Sequence, residues 1–462
     1  MSEYIEKLYQ NGRAAYWEME EKNQEEINAI LKSICLTVLP RAEELGKSIA
    51  EEVGMGDPAT FVGTMQLFPL VFYNYMKDKP AIGVIDDDPQ LKIRTYGKAM
   101  GVVACLTPST TNISNGLEMT LKAIKSGNAI IHAPHPKCWK TFKKMVEIMM
   151  EGVKAAGGPD NLIQTVEDPS IDMTNELMSA CDVVVGTGGA DMVHAAYSSG
   201  TPAFGVGQGN VPVLISESYP AEELAQKVIP GIIADRCAGN GTPCTCPQHI
   251  LIPRSRADEI LGLFQANGAY LVDQKEDVDR IRDVVFPDGG TRINRAIVGR
   301  SGKKIAAMYG LEVPDTTKVV LIKLEDGSTA ETERLLREIL NPTIRFQLYD
   351  NYADAVEIAR KCLFVEGAGH SSQIFSYDEA EIDLAARRLP VVRILVRQHG
   401  DGVANLLLAN GMAPATSVGG GTWGGNSLSD NVSHKTLLNM TKVIYPISEG
   451  CVPKFEDVFD IH

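Results

Sequence analysis

Between residues 102 and 206, short apolar segments take turns with longer amphipathic ones, and few folds tolerate that rhythm. Residues 102–106, 129–133, 162–165, 183–185 and 203–206 read as strands. Residues 116–125 and 139–156 read as helices, the second stopped by Gly157-Gly158-Pro159. Strand and helix alternating at this spacing build a parallel sheet with helices on both faces. Ligands of such sheets lie beyond the carboxyl ends of the strands. The loops at 107–112, 134–137 and 186–191 are therefore where function is expected.

A second αβ series starts after Pro220, with a helix running to 233, a strand at 250–252 and a helix at 257–267. Further strands are expected at 319–322, 343–348 and 374–375. Ahead of the first series, Ile27, Ile30, Leu31, Ile34 and Val38 mark one face of a helix. Pro40 interrupts it, and Leu45, Ile49 and Val53 resume the pattern up to Gly54. Alternation at Ile82, Val84, Leu91, Ile93 and Thr95, around a turn at 86–89, predicts a hairpin. A last strand is expected at 442–447. With 462 residues, two or three domains at roughly 150 residues each are expected. The division drawn is 1–231 without about 80–97, then 232–425, with 80–97 and 435–462 as a separate small element.

The chain carries 44 Lys and Arg against 59 Asp and Glu, a net charge of −15. That lacks the basic footprint of a nucleic-acid binder. No apolar run approaches the roughly 20 residues of a membrane span, and the first residues, MSEYIEKLYQ, do not read as a secretory signal. Nine cysteines, an odd number in a long chain, fit a reducing compartment better than a disulfide framework. A soluble, acidic, cytoplasmic multidomain protein is the expectation.

The most unusual stretch is the Gly/Pro-rich turn at 236–249, which holds Cys237, Cys244, Cys246 and His249. Three readings are open. A zinc site usually needs cysteine pairs two to four residues apart, and C-x-C with its next cysteine seven residues away fits that poorly. Buried cysteines acting as small hydrophobes are the ordinary case, which suits Cys237 and Cys246. An activated nucleophile needs exposure and an electropositive or polar setting, which a loop between core elements can give Cys244.

The run Asn240-Gly241-Thr242-Pro243-Cys244 resembles the nucleophile loop of the aldehyde dehydrogenase superfamily, and more closely that of its coenzyme A-acylating branch. Further blocks follow in family order: TPSTTN at 107–112, NAIIHAPHP at 128–136, GTGGADMVHAAYSSGTPAFGVGQGNVPV at 186–213, NRAIVGRSGKKIA at 294–306, ILNPTI at 339–344, GAGHSSQIFS at 367–376 and TWGGNSLSDN at 422–431. The resemblance spans about residues 95 to 435. It implies two Rossmann-type α/β domains with a small β-hairpin and strand for oligomerisation, so a homodimer or homotetramer is expected. It also implies that the Cys244 thiolate adds to an aldehyde, with Asn112 and a backbone N–H as oxyanion donors. The dinucleotide, NADP or NAD, is expected against Thr107, Pro108, Ala133, Pro134, His135, Pro136, Gly186, Thr187, Gly188 and Gly189. Glu338 would hold the nicotinamide ribose, and His370 matches a histidine of the acylating group.

Hydrolytic members of the superfamily carry a glutamate base where this chain has Gly205-Val206-Gly207-Gln208-Gly209-Asn210. Without it, hydrolysis forgoes roughly the 10²–10⁴-fold that a general base contributes, and a coenzyme A thiol can intercept the thioester. Arg236 and Arg345 stand where related bifunctional enzymes have smaller or apolar residues. An arginine fork suits a carboxylate or sulfonate, so these two are expected to bind the substrate. The leading candidate is sulfoacetaldehyde, with acetaldehyde or propionaldehyde as the alternative. No acidic residue follows the strand at 129–133 to clamp a ribose 2′-hydroxyl, and Lys137 suits a 2′-phosphate, which favours NADP.

Overall fold

In a computed structural model, residues 1–400, 406, 408–450 and 452–459 are described. Parts of the expected second domain (401–405 and 407) and of the tail (451 and 460–462) lie outside the described residues. The chain opens with four helices, α1 (Glu3–Glu20), α2 (Gln24–Val38), α3 (Ala42–Val53) and α4 (Pro58–Met76). Asn23 closes a capping box on α2, and Pro40 falls in a single 3₁₀ turn that redirects the chain into α3. Gly54, at φ 67°, ends α3 in the left-handed conformation a β-carbon disfavours. The apolar face read from Ile27 to Val38 is fully buried against the first sheet's core.

That sheet has five parallel strands in the order β5-β4-β3-β6-β7. They are β3 (Val102–Thr107), β4 (Ala129–Pro134), β5 (Ile163–Thr165), β6 (Val183–Thr187) and β7 (Ala203–Val206), connected through α5 (Asn112–Lys125), α6 (Trp139–Ala155), α7 (Ile171–Ala180) and α8 (Ala190–Ser198). The second sheet has seven strands in the order β10-β11-β12-β9-β8-β13-β14. These are β8 (Val211–Ile215), β9 (Pro247–Pro253), β10 (Ala269–Val272), β11 (Val319–Lys323), β12 (Thr343–Tyr349), β13 (Gly369–Phe375) and β14 (Val391–Val396). The chain passes from one sheet to the other at residues 207–210, ahead of the expected boundary at 232. The strand at 211–215, inside a block read as cofactor contact, belongs to the second sheet.

A third, antiparallel sheet joins β1 (Gly83–Asp88), β2 (Ile93–Ala99) and β15 (Leu438–Ile444). The hairpin turn lies at 89–92 and not at 86–89, because Asp86 and Asp87 pair with Thr95 and Arg94. The tail strand also begins earlier than expected, Leu438 pairing with Ala99. On the way to it, the segment from 413 is fastened to α5. Glu118 accepts from Thr416 N (2.9 Å) and pairs with Lys122 in a fully buried contact, and Lys122 Nζ donates to Val432 O (2.6 Å). Ser126 Oγ donates to His434 O (2.6 Å).

Candidate active site

Parallel register brings the expected cofactor loops together. Thr107 at the end of β3 lies beside Pro134 at the end of β4, and Leu106 lies beside Gly186 on β6. His135 N donates to Thr107 O (3.0 Å), which folds Ala133, Pro134, His135 and Pro136 over the exit of β3 next to Pro108. After β6, the turn through Thr187, Gly188 and Gly189 leads into α8. A β-carbon on Gly189 or Gly207 would meet nothing within 4 Å, so bare backbone faces open space there. The first turn of α8 has no side-chain cap, and its amides suit a diphosphate. Thr187 Oγ1 is engaged by Ser417 Oγ (2.6 Å). At α6 the first amides are occupied, Lys140 N and Thr141 N donating to Glu52 (2.9 and 2.8 Å).

The cysteine turn owes its shape to three successive left-handed residues, Gly239, Asn240 and Gly241 (φ 53°, 56° and 75°). Asparagine and glycine are the residues that tolerate this. Asn240 Nδ2 ties the turn to Gly299 O (3.1 Å), and Thr242 Oγ1 to Gly239 O (3.0 Å). A β-carbon on Gly209 would come within 2.1 Å of Cys244 O, so the 207–210 crossing packs directly on the cysteine. The sulfur and imidazole groups of the turn do not converge. Cys237 Sγ points to Lys318 O (3.8 Å), Cys246 Sγ to Asp235 O (3.0 Å), and His249 is buried in β9. Among the described residues, no cluster of three or more His, Cys, Asp and Glu could hold a metal.

Cys244, half-buried, has its Sγ 3.1 Å from Nε2 of His370 on β13. Burial, aided by the nearby Arg393 guanidinium, pushes the imidazole down to about 3, so it is neutral at physiological pH. Asn112, the first residue of α5, is fully buried; its Nδ2 donates to Ser109 O (3.1 Å). An amide carries two hydrogens, so this contact leaves one for another acceptor. Glu338 reaches the same crossing, its carboxyl accepting from Gly209 N (3.2 Å) and Gln208 Nε2 (3.4 Å). Burial first, and the Glu366 carboxylate second, push Glu338 up to about 8. Next to His370 a cleft of about 460 Å³ opens between the two sheets, lined by Gln208, Glu366, His194, Tyr197 and Trp423 among others.

The two arginines expected to bind substrate do something else. Both are fully buried. The Arg236 fork donates to Ile339 O. Arg345 donates to Arg337 O (2.8 Å), Gln248 Oε1 (2.7 Å) and Thr343 O (3.3 Å). Gln248 Oε1 also accepts from Ile339 N (3.2 Å). The segment that carries Glu338 is thus gripped by its backbone on either side, and neither guanidinium is presented to solvent. The expectation rests on two arginines that replace smaller or apolar residues of related enzymes, whereas the carbonyls of an irregular segment claim both. Sequence reasoning also missed Gln208, Glu366, Glu52 and Arg393. Arg393 alone left a signal, as a charge at an inward position of the apolar strand VVRILV.

Cys244, on the turn before β9, and His370, on β13, thus meet at the second sheet, beside the loops that close the first. Residues 1–436 match the aldehyde dehydrogenase family profile. The chain is 36% identical over 455 residues to the succinate-semialdehyde dehydrogenase (acetylating) of Clostridium kluyveri, covering 98% of each. It is 33% identical to a sulfoacetaldehyde dehydrogenase from Acholeplasma sp, covering 98% of this chain and 91% of that one. The crystal structure of an acetylating aldehyde dehydrogenase from Geobacillus thermoglucosidasius superposes with a TM-score of 0.91 at 30% identity, covering 98% of both chains. The chain belongs to the aldehyde dehydrogenase family, among its acylating, NAD(P)-dependent oxidoreductases.

Proposed function

We propose that the protein converts an aldehyde, coenzyme A and NAD(P)⁺ into an acyl-coenzyme A and NAD(P)H through a thioester on Cys244. The observation that carries this reading is Cys244 Sγ beside a neutral His370, with no carboxylate in the crossing at 205–210. Cys244 Sγ attacks the carbonyl carbon, and the oxyanion that forms needs donors already in place. The free hydrogen of Asn112 Nδ2 and the Cys244 backbone N–H are assigned that task. When bound, the nicotinamide takes up the hydride. Open backbone at Gly189 and Gly207, with the uncapped start of α8, fits a dinucleotide whose ribose meets Glu338. The carboxyl of Glu338, behind Gly209, is held by Gly209 N–H and Gln208 and is pushed up to about 8, which makes it a poor base for water at neutral pH.

The substrate proposed is a short aldehyde with an anionic far end. The relatives at 36% and 33% identity bear the names of succinate semialdehyde and sulfoacetaldehyde enzymes, and both these short aldehydes carry an acid group at the end away from the aldehyde. The arginine argument for sulfoacetaldehyde lapses with the burial of Arg236 and Arg345. For the nucleotide, Lys137 is exposed beside His135, the segment after β4 carries no acid of its own, and the Glu52 carboxylate nearby is taken up by the α6 amides, which supports NADP. The proposed state is a homo-oligomer formed through the third sheet. The test is initial rates with succinate semialdehyde, sulfoacetaldehyde and acetaldehyde, each with NAD and NADP. A higher kcat/KM for either anionic aldehyde supports the reading, and a preference for acetaldehyde sinks it.

A further inference from the structure

A thiolate in a part-buried site needs a positive partner, and the histidine beside Cys244 is neutral. The charged and titratable groups around the sulfur, among the described residues, come from several elements. His370 lies on β13, Arg393 on β14 and Asp430 on the loop behind Arg393; Glu338 lies behind Gly209. Cys246, on the same turn, points away to Asp235 O. Arg393 is buried, and the four partners of its fork are uncharged. Nη2 donates to His370 O (3.0 Å), Nε to Ser371 Oγ (3.2 Å), and Nη1 to Gly419 O (3.1 Å) and Asn431 Oδ1 (2.9 Å). Burial pushes the guanidinium down to about 10, which leaves it charged at neutral pH. One side chain therefore bolts the backbone of His370 to the 417–431 loop that lines the cleft, and its positive charge faces both Cys244 and the Asp430 carboxylate.

We propose that Arg393 is the positioning residue of the nucleophile: it fixes His370 against Cys244 and supplies the positive charge that balances the Cys244 thiolate. The inference rests on the reading of Cys244 as the nucleophile. A neutral histidine can orient a thiol but cannot pair with a thiolate as an imidazolium does. In this site that task passes to an arginine whose hydrogen-bond partners, three carbonyl oxygens and a hydroxyl, carry no charge, Asp430 being the opposing carboxylate.

The test is the pH dependence of iodoacetamide alkylation at Cys244 in the full chain, without aldehyde, coenzyme A or nucleotide, read by peptide mass spectrometry. Arg393→Met is expected to raise the alkylation midpoint and slow the reaction at pH 7 roughly tenfold, the equivalent of one pH unit. Arg393→Lys, which keeps the charge, is expected to restore most of the rate. Asn431→Asp keeps Arg393 but sets a carboxylate on its Nη1, and is expected to raise the midpoint too. A merely structural role for Arg393 would leave the midpoint of a folded variant where it was. An unchanged midpoint in Arg393→Met overturns the proposal. If that variant does not fold, an unchanged midpoint in Asn431→Asp does so. Wild-type enzyme that alkylates with a low midpoint but oxidises no aldehyde would refute the proposed function and leave this inference standing.

Discussion

Cys244 differs from its two neighbours in what faces its sulfur. Cys237 and Cys246 point their thiols at backbone carbonyls, and burial pushes Cys237 up, away from the reactive thiolate. Cys244 meets an imidazole nitrogen of His370, a residue that lines the cleft. Cys244→Ala is therefore expected to abolish aldehyde oxidation while nucleotide binding, followed by quenching of tryptophan fluorescence, persists. Cys246→Ala is expected to retain activity, and a dead Cys246→Ala with an active Cys244→Ala would reverse the assignment. Asn112→Ala is expected to lower kcat by about 10²–10³, the usual worth of one oxyanion donor, with a much smaller change in KM. Spacing within the chain singled out the cysteine turn but left zinc, packing and catalysis open. Resemblance chose among them, and the side-chain directions now give a physical reason for that choice.

At the scale of elements, the segment from Arg337 to Ile339 has no regular structure of its own, so its backbone groups must find partners elsewhere. Arg236, Arg345 and Gln248 supply them. Glu338 then sits where burial keeps it protonated up to about 8. Its folded value lies above its unfolded one, so folding takes up a proton between about 4.5 and 8. Stability from this group is full below 4.5 and is lost as pH rises through 8. Glu338→Gln, neutral throughout, is expected to gain in Tm relative to wild type as pH goes from 5 to 9. Parallel Tm curves would contradict the buried, protonated carboxyl. The strands of the first sheet were legible because each is a short apolar run between helices. β10 and β14 were not, since their half-exposed residues blur the pattern, and β8 was hidden inside a motif. Neither arginine's destination could be read, because a backbone carbonyl leaves no mark in a sequence.

For the molecule as a whole, two sheets meet at the 207–210 crossing, and each contributes to the proposed site: β3, β4 and β6 the loops proposed to hold the cofactor, β13 and β14 the residues His370 and Arg393. A third sheet stands apart, with Met440, Val443 and Ile444 exposed along β15. β15 pairs with β2 on one side only, and an edge strand with exposed apolar side chains invites a second copy. Ile444→Lys is accordingly expected to elute as a smaller species than wild type on size exclusion, and an unchanged elution volume would place the interface elsewhere. Among the described residues, no helix is long and apolar enough to cross a membrane. The central claim is that the acyl group on Cys244 leaves to a thiol and not to water. Its most direct measurement is the absorbance of reduced nucleotide during turnover, with saturating aldehyde, with and without coenzyme A. One turnover per site without coenzyme A and continuous turnover with it is the result expected here; steady turnover in its absence would contradict it.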